Sequence, residues 1–384
     1  MAKNMPFISI IIVNFNGLNL LKNCLPSVCK QTYPQDKYEI IVVDNNSTDG
    51  SVNYIKANYP SVIVIQNSEN GGFARPNNKA AAIAKGEYLA LLNNDMYAKE
   101  NWLEKLVASQ QRTGAACVGG AILNSDGSKI DFFDGMIDCI GNAYFLGGSY
   151  NPRHAKPSTI LDDYHQEKDV FYASGGAMLI DKDVFLAVGG FDEDLYLYHE
   201  DDDLCWRLWL LGYKVVASPL AVTFHRHSTT SRKFAKYQIR FYHQRNPLMM
   251  LYKNYEGKNV YKYLCGALIW RLLKVIESLR ADIVLDNEHN LKFLTVKQKV
   301  SRTVGKSKIF FRLIRKLDDL LIFLAAVISF LKRLPSIREK RKVLQTARQR
   351  SDAEIMQMFH LPKSRFTHYK VFDHYLEEFL GSDQ

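Results

Sequence analysis

Several familiar signatures are missing from this chain, and each absence narrows what it can be. No Gly-x-Gly-x-x-Gly follows the first apolar run; the turn there reads Asn14-Phe15-Asn16-Gly17. A dinucleotide dehydrogenase is therefore not expected. No Gly-x-x-x-x-Gly-Lys-Ser/Thr occurs, which excludes a P-loop nucleoside triphosphatase, and no glycine-rich phosphate loop with a trailing lysine points to a nucleotidyltransferase. The six cysteines (Cys24, Cys29, Cys117, Cys139, Cys205, Cys265) form no Cys-x-x-Cys pair. They read as thiols buried in a reducing cytoplasm. No RNA- or DNA-binding motif accompanies the positive charge, so nucleic acid is not an expected partner. Phe7–Val13 is too short for a signal-peptide core, lacks a small-residue cleavage site and reads as a first strand. The longest apolar run, Leu320–Leu331, is broken only by Ser329. As a helix it covers about 18 Å against about 30 Å of bilayer hydrocarbon, so it is not expected to cross a membrane by itself. A core helix and a helix lying along a membrane surface both remain open for it.

The 384 residues include 47% hydrophobic ones, enough for a sizeable core in one large domain or two unequal ones. The net charge of +10 is unevenly spread. Residues 231–384 carry 31 Lys and Arg against 14 Asp and Glu, which leaves 19 against 26 for residues 1–230. An acidic catalytic part (1–235) is thus followed by a basic, mainly helical part (236–384) that meets something anionic. Arg312, Arg315 and Lys316 precede the apolar run, and Lys332, Arg333, Arg338, Lys340, Arg341 and Lys342 follow it. Cations on both flanks of an apolar helix suit an anionic leaflet; a helical bundle with a solvated basic face is the alternative.

Along the first part, strand and helix signals alternate. Phe7–Val13, Tyr38–Asp44, Val62–Gln66 and Glu87–Leu92 read as strands. Leu18–Lys30, Ser51–Asn58, Phe73–Lys85 and Trp102–Arg112 read as helices, and Ala115–Val118 as a further short strand. Such alternation predicts a parallel α/β sheet, whose ligands sit at the carboxyl ends of the strands. Asn14, Asn16, Asp44, Asn45, Asn93, Asn94 and Asp95 all fall at those ends. Residues 121–170, rich in Gly, Asp, Asn and Tyr, read as loops or hairpins that cover an acceptor. Phe171–Asp181, through Ser174-Gly175-Gly176, is strand-like; Asp203–Leu211 is a helix closed by Gly212.

The chemistry follows from residue type. Asp95, ending an apolar strand beside Asn93 and Asn94, is a hard ligand for Mg²⁺ or Mn²⁺ held jointly with a substrate phosphate. Asp44 either accepts a hydrogen bond from the N3–H of uracil or thymine, or forms the turn ahead of Asn45 and Asn46. Glu200-Asp201-Asp202-Asp203 is either a solvated helix N-terminus or a partly desolvated cluster, since aromatic residues flank it. Desolvation would tune one of these carboxylates as a general base. His225 or His227 could add an imidazole ligand.

Together these motifs resemble the inverting family 2 glycosyltransferases of GT-A fold, in the branch that includes bacterial rhamnosyltransferases. The resemblance runs from about Phe7 to Thr230. It rests on Ser9–Asn16, Val42–Gly50, Asn70-Gly71-Gly72-Phe73-Ala74 with Asn78, Leu91–Asp95, Ser174–Gly176, Glu200-Asp201 with Asp203-Leu204 and Arg207, and His225. It implies a nucleotide-binding sheet with helices on both faces. Asn14, Asn16, Asp44, Asn70, Phe73, Asn78, Asn93 and Asn94 would bind the nucleotide-sugar; Asp95 and His225 would hold the cation. Asp201 would be the general base, with Ser174, Gly175, Gly176 and Glu200 on the acceptor side. Two departures stand out: Asn93 opens the metal motif, leaving one strong carboxylate, and Arg75-Pro76 stands where small residues are usual. The implied reaction moves a sugar from dTDP-rhamnose or a UDP-sugar to a glycan or lipid-linked acceptor, with inversion. Its expected place is the cytoplasm, at the inner face of the cell membrane. A non-catalytic nucleotide-sugar-binding protein and a metal-dependent nucleotide-sugar hydrolase are the rivals.

Overall fold

A computed structural model describes residues 5–146, 166–226, 236–289 and 298–358. His227, residues 147–165 of the expected acceptor cover, and the side chains of Arg312, Arg315 and Lys316 lie outside the described residues. Two compact units emerge: Met1–Phe234 with Lys342–Lys363, and Ala235–Arg341 with Ser364–Gln384.

The first unit opens with β1 (Ile8–Asn14), α1 (Leu18–Cys29), β2 (Tyr38–Asp44), α2 (Ser51–Asn58), β3 (Ile63–Gln66), α3 (Ala74–Ile83) and β4 (Tyr88–Leu92). Ile8, Ile10, Ile11 and Ile12 are all inaccessible, as a strand covered on both faces requires. Next come β5 (Met96–Ala98), α4 (Trp102–Thr113), β6 (Cys117–Asn124), β7 (Ile130–Ile137), β8 (Ala143–Leu146), β9 (Lys168–Asp169), β10 (Ala177–Asp181), α5 (Lys182–Ala187), α6 (Glu200–Leu210) and β11 (Val215–His225). The main sheet runs β3-β2-β1-β4-β10-β6-β11-β5. β1, β2, β3 and β4 are parallel, β10 is antiparallel to both β4 and β6, and β11 is parallel to β6. The reversed β10 therefore begins at the edge where β1, β2 and β4 end. β11 delivers its last residue, His225, to that same edge.

Several boundaries differ from the sequence reading. β6 extends to Asn124 instead of stopping at Val118, and β7 and β8 form a hairpin within the stretch read as loops or hairpins. β11 is one strand through Pro219, which sits at a register shift between Ser218 and Val222, where a missing N–H is tolerated. α6 starts at Glu200, three residues early, so the acidic run forms its first turn and faces the positive end of the helix. Gly212 follows α6 with φ +88°, as a helix-terminating glycine does. Cys24, Cys117 and Cys205 are buried, but Cys265 is exposed.

The second unit holds α7 (Lys236–Asn254), α8 (Gly257–His289) and most of α9 (Gln298–Ala347). Arg341 donates to the carbonyls of Tyr252 (2.7 Å) and Lys253 (3.2 Å), and also contacts that of Tyr255. It thus satisfies the last carbonyls of α7. One stretch of α9, Asp318–Ala347, is long and apolar enough to cross a membrane by length and composition, although only 22% of its apolar window is buried. Counting uninterrupted apolar residues missed it. Beyond α9 the chain returns to the first unit, where α10 (Asp352–Met358) follows. Arg350 there donates to the carbonyls of Trp209 (3.1 Å), Tyr213 (2.9 Å) and Gly212 (2.8 Å), closing the C-terminus of α6.

Candidate active site

The register of the sheet assembles the nucleotide end. Asn14 pairs with Asp44 across β1 and β2. The Asn14 amide donates to Asp44 Oδ1 (3.0 Å) and Ser47 Oγ (3.2 Å), and its Oδ1 accepts from Asn94 Nδ2 (2.8 Å). Three strand ends are thereby tied by buried amides and one carboxylate. Asp44 is 1% exposed; its Oδ2 accepts from the Ser47 backbone (2.8 Å) in the turn, while its Oδ1 accepts from Asn14 across the sheet. Each oxygen keeps a second lone pair. Asn16, at φ +48°, accepts from the Thr48 backbone (2.8 Å) and completes the same turn.

The next side is a backbone clamp between 70–78 and 191–199. Asn70 Oδ1 accepts from Gly72 N–H (3.0 Å), and Phe73 N–H donates to the Tyr196 carbonyl (2.8 Å). Gly72 has φ +75°, and a Cβ there would stand 2.3 Å from the Tyr196 carbonyl oxygen, so only glycine fits. Asn78 donates to the Phe191 carbonyl and accepts from the Phe191 N–H, each at 2.9 Å. Its amide is engaged in holding that loop, so it shapes the pocket from behind. Phe73 meets Phe191 edge-on at 5.4 Å. The clamped loop stores strain: Tyr196, Tyr198 and His199 have φ of +66°, +67° and +68°. Such non-glycine outliers persist where the surroundings over-determine them, often beside catalytic groups.

Asp95 and Asp201 stand over a hundred residues apart in the chain, yet two glycines join their surroundings. Asn93 N–H donates to the Gly176 carbonyl (2.9 Å), and Gly175 N–H donates to Asp201 Oδ2 (3.0 Å). Ser174 Oγ accepts from Gly176 N–H (3.2 Å) and fixes this bridge. On the other side, Asp95 Oδ2 lies 3.4 Å from His225 Nε2, and the Asp95 carbonyl accepts from Arg226 N–H (2.9 Å). Asp131 of β7 contacts His225 Nδ1. Sequence reasoning missed Asp131, which lies in a stretch without a pattern; only the pairing of β6 with β7 reveals it.

Electrostatics separate the carboxylates into different roles. Burial, then the charge of Asp202, pushes Asp201 from 3.8 up to about 6, against hydrogen bonds from Gly175 and Asp202 that pull it down. Glu200 is 7% exposed, its Oε2 has no hydrogen-bond partner among the described residues, and burial drives its pKa well above the usual carboxylate range. For His225, burial pulls down, but hydrogen bonds to Asp131 and Asp95 prevail and raise it to about 9.

Asp95 and His225 are the residues that would hold a divalent cation, His225 by exchanging for the metal the Nε2 proton that Asp95 and Asp131 now favour. Among the described residues no group of three or more His, Cys, Asp or Glu is arranged as a metal site. The remaining ligands would then be substrate oxygens and water. Asp131 on the far ring nitrogen would orient the imidazole, as carboxylates behind metal-binding histidines do.

Residues 9–189 match the model of glycosyl transferase family 2, and residues 155–232 match that of the N-terminal domain of galactosyltransferase. Over residues 9–189 the first unit resembles glycosyl transferase family 2. Glycosyltransferase AglE of Haloferax volcanii is 35% identical over 126 residues, 32% of this chain and 41% of that protein. The N-acetylglucosaminyl-diphospho-decaprenol L-rhamnosyltransferase of Mycobacterium tuberculosis is 28% identical over 207 residues, 50% of this chain and 67% of that one. Among solved structures, the mannosyltransferase PcManGT of Pyrobaculum calidifontis, in complex with GDP-Man and Mn²⁺, superposes with a TM-score of 0.52 at 16% identity. That superposition covers 86% of this chain and 88% of PcManGT, and shows the shared GT-A fold. The chain spans less than half the length of curated relatives such as AglE.

Proposed function

We propose that this glycosyltransferase transfers a sugar from a nucleoside-diphosphate sugar to an acceptor hydroxyl with inversion at the anomeric carbon. One observation carries the reading: the Gly175-Gly176 bridge sets Asp201 beside the strand end that bears Asp95 and His225. Asp201, charged above about pH 6, takes the proton of the acceptor hydroxyl as that oxygen attacks. Glu200, buried with its Oε2 lacking a hydrogen-bond partner among the described residues, stands on the acceptor side. Asn14, Asn16, Asp44, Asn70, Phe73, Asn93 and Asn94 shape the donor end. Asp95 and His225 would hold Mg²⁺ or Mn²⁺, whose charge neutralises the departing diphosphate, a contribution of several kcal/mol.

The donor is dTDP-rhamnose or a UDP-sugar, since uracil and thymine offer the same N3–H. The acceptor is a glycan or a lipid-linked glycan of cell-surface polysaccharide synthesis. Its place of action is the cytoplasmic side of the membrane. The test is a nucleotide-sugar screen by Mn²⁺-dependent thermal stabilisation, then product analysis with and without acceptor. Sugar–acceptor product of inverted configuration is expected. Equal nucleotide release without acceptor would make the protein a hydrolase, and binding without release would make it a non-catalytic binder.

A further inference from the structure

Helix α9 shows two apolar faces where a soluble bundle needs one. Phe323, Ala326 and Phe330 are buried within the second unit. Phe330 packs edge-on to Tyr252 of α7 at 6.2 Å, and Asp319 pairs with Arg240 of α7. Roughly opposite, at the same helical spacing, Leu321, Leu324, Ile328 and Leu331 are 60%, 45%, 54% and 52% exposed. A helix that is apolar all round yet covered on one side only has a partner on the other. The patch continues onto α7 through a groove of about 450 Å³ lined by Tyr237, Phe241, Tyr242, Leu321, Ile322 and Ala325.

We propose that this outward stripe of α9, with Lys332 and Arg338 beyond it, seats the second unit on the surface of an anionic lipid bilayer. Charge chooses the occupant: residues 231–384 carry 31 basic against 14 acidic residues, the balance a leaflet of anionic lipids attracts. Geometry chooses lying over spanning. Asp318–Ala347 is long enough to span, but Phe323, Ala326 and Phe330 on its other face are buried in protein, and Lys332, Arg333, Arg338, Lys340, Arg341 and Lys342 crowd the half beyond the apolar run. Leucine and isoleucine side chains would sink into the headgroup–acyl boundary while the cations meet the headgroups. The inference deepens the proposal of a lipid-linked acceptor, but rests on residues outside the candidate active site, so either can fail alone.

The test is sedimentation of the full chain with vesicles of phosphatidylcholine, alone or with one quarter phosphatidylglycerol. Wild type is expected to pellet with the anionic vesicles, to partition less in 0.5 M salt, and to be released by alkaline carbonate. Leu324→Glu with Ile328→Glu should weaken partitioning at least tenfold while donor binding is retained, which also shows that the chain folds. Lys332→Gln and Arg338→Gln should each weaken it about fivefold. Unchanged partitioning of the double variant overturns the proposal. So does resistance to carbonate, which means a spanning helix. So does a wild-type dimer that ignores vesicles, which means the stripe binds a second copy.

Discussion

Replacing Asp201 by Asn tests base and environment together. The carboxyl group is raised from 3.8 to about 6, chiefly by burial and then by the neighbouring charge of Asp202. A carboxyl whose pKa is higher in the folded than in the unfolded chain binds its proton more tightly when folded. It contributes stability below about pH 4 that is lost as pH rises through about 6. The shift corresponds to about 3 kcal/mol of destabilisation at pH 8, an upper bound for a partly exposed group. An amide removes that cost but can accept only one of the two N–H bonds now made by Gly175 and Asp202, a loss of about 1 kcal/mol. Asp201→Asn should thus be more stable than wild type by about 1–2 kcal/mol at pH 8, and no more stable at pH 4. Transfer should fall about 10²–10⁴-fold. The wild-type rate should rise with pH up to about 6, and the variant's residual rate should lack that limb. Urea unfolding at the two pH values and initial rates across pH 5–8 measure both. A variant within tenfold of wild type refutes the base assignment; an equal stability change at both pH values refutes the desolvation argument.

Asp95→Ala should abolish the metal dependence of donor binding, read by calorimetry with and without Mn²⁺; an unchanged dependence removes Asp95 from the site. Asp131→Ala should weaken Mn²⁺ affinity about 10–100-fold while leaving Asp95 and His225 in place. Metal titration of the donor complex measures this, and an unaltered affinity would deny Asp131 a positioning role. Gly72→Ala places a Cβ against the Tyr196 carbonyl at positive φ, so a loss above about 2 kcal/mol is expected, seen as a lower urea midpoint. Arg350→Ala removes three charge-assisted bonds to the end of α6 and should cost about 2–4 kcal/mol, far more than an ordinary surface arginine.

Much of the first unit was legible because its signals are local. Runs of Ile and Val with polar ends marked β1 and β2, a Leu and Ala run marked β4, and the carboxyl-edge rule then grouped Asn14, Asp44, Asn94 and Asp95. What sequence could not give was long-range. That β10 inserts antiparallel between β4 and β6 is invisible in Ala177–Asp181, yet this reversal aims Gly175 at Asp201. The union of β11 across Pro219 depends on a bulge that no propensity encodes. Asp131 gave no signal because a single carboxylate on a hairpin gains meaning only from the imidazole opposite. The return of residues 342–358 to the first unit was equally hidden, since the hydrogen bonds of Arg350 go to backbone carbonyls and only its place over the Trp209 ring involves another side chain.

Under the proposed mechanism, the strained loop would couple the donor and acceptor sides. Tyr196, Tyr198 and His199 occupy left-handed conformations that cost of order 1–3 kcal/mol each, so the loop would relax if released. It is held at one end by Asn78 on Phe191, in the middle by Phe73 on Tyr196, and at the other by His199 on Asp202 at 2.8 Å. The first two holds come from the segment assigned to the donor; the third lies in the first turn of the helix that carries Asp201. On the proposed reading, a donor that orders Asn70–Asn78 would stiffen the support of Asp201 through these side-chain and backbone contacts. The strain is tolerated because it fixes the carboxylate at a helix N-terminus, whose field favours its charged form, while burial disfavours it. Burial and the charge of Asp202, opposed by hydrogen bonds from the Gly175 and Asp202 N–H groups and by His199, leave Asp201 titrating near 6.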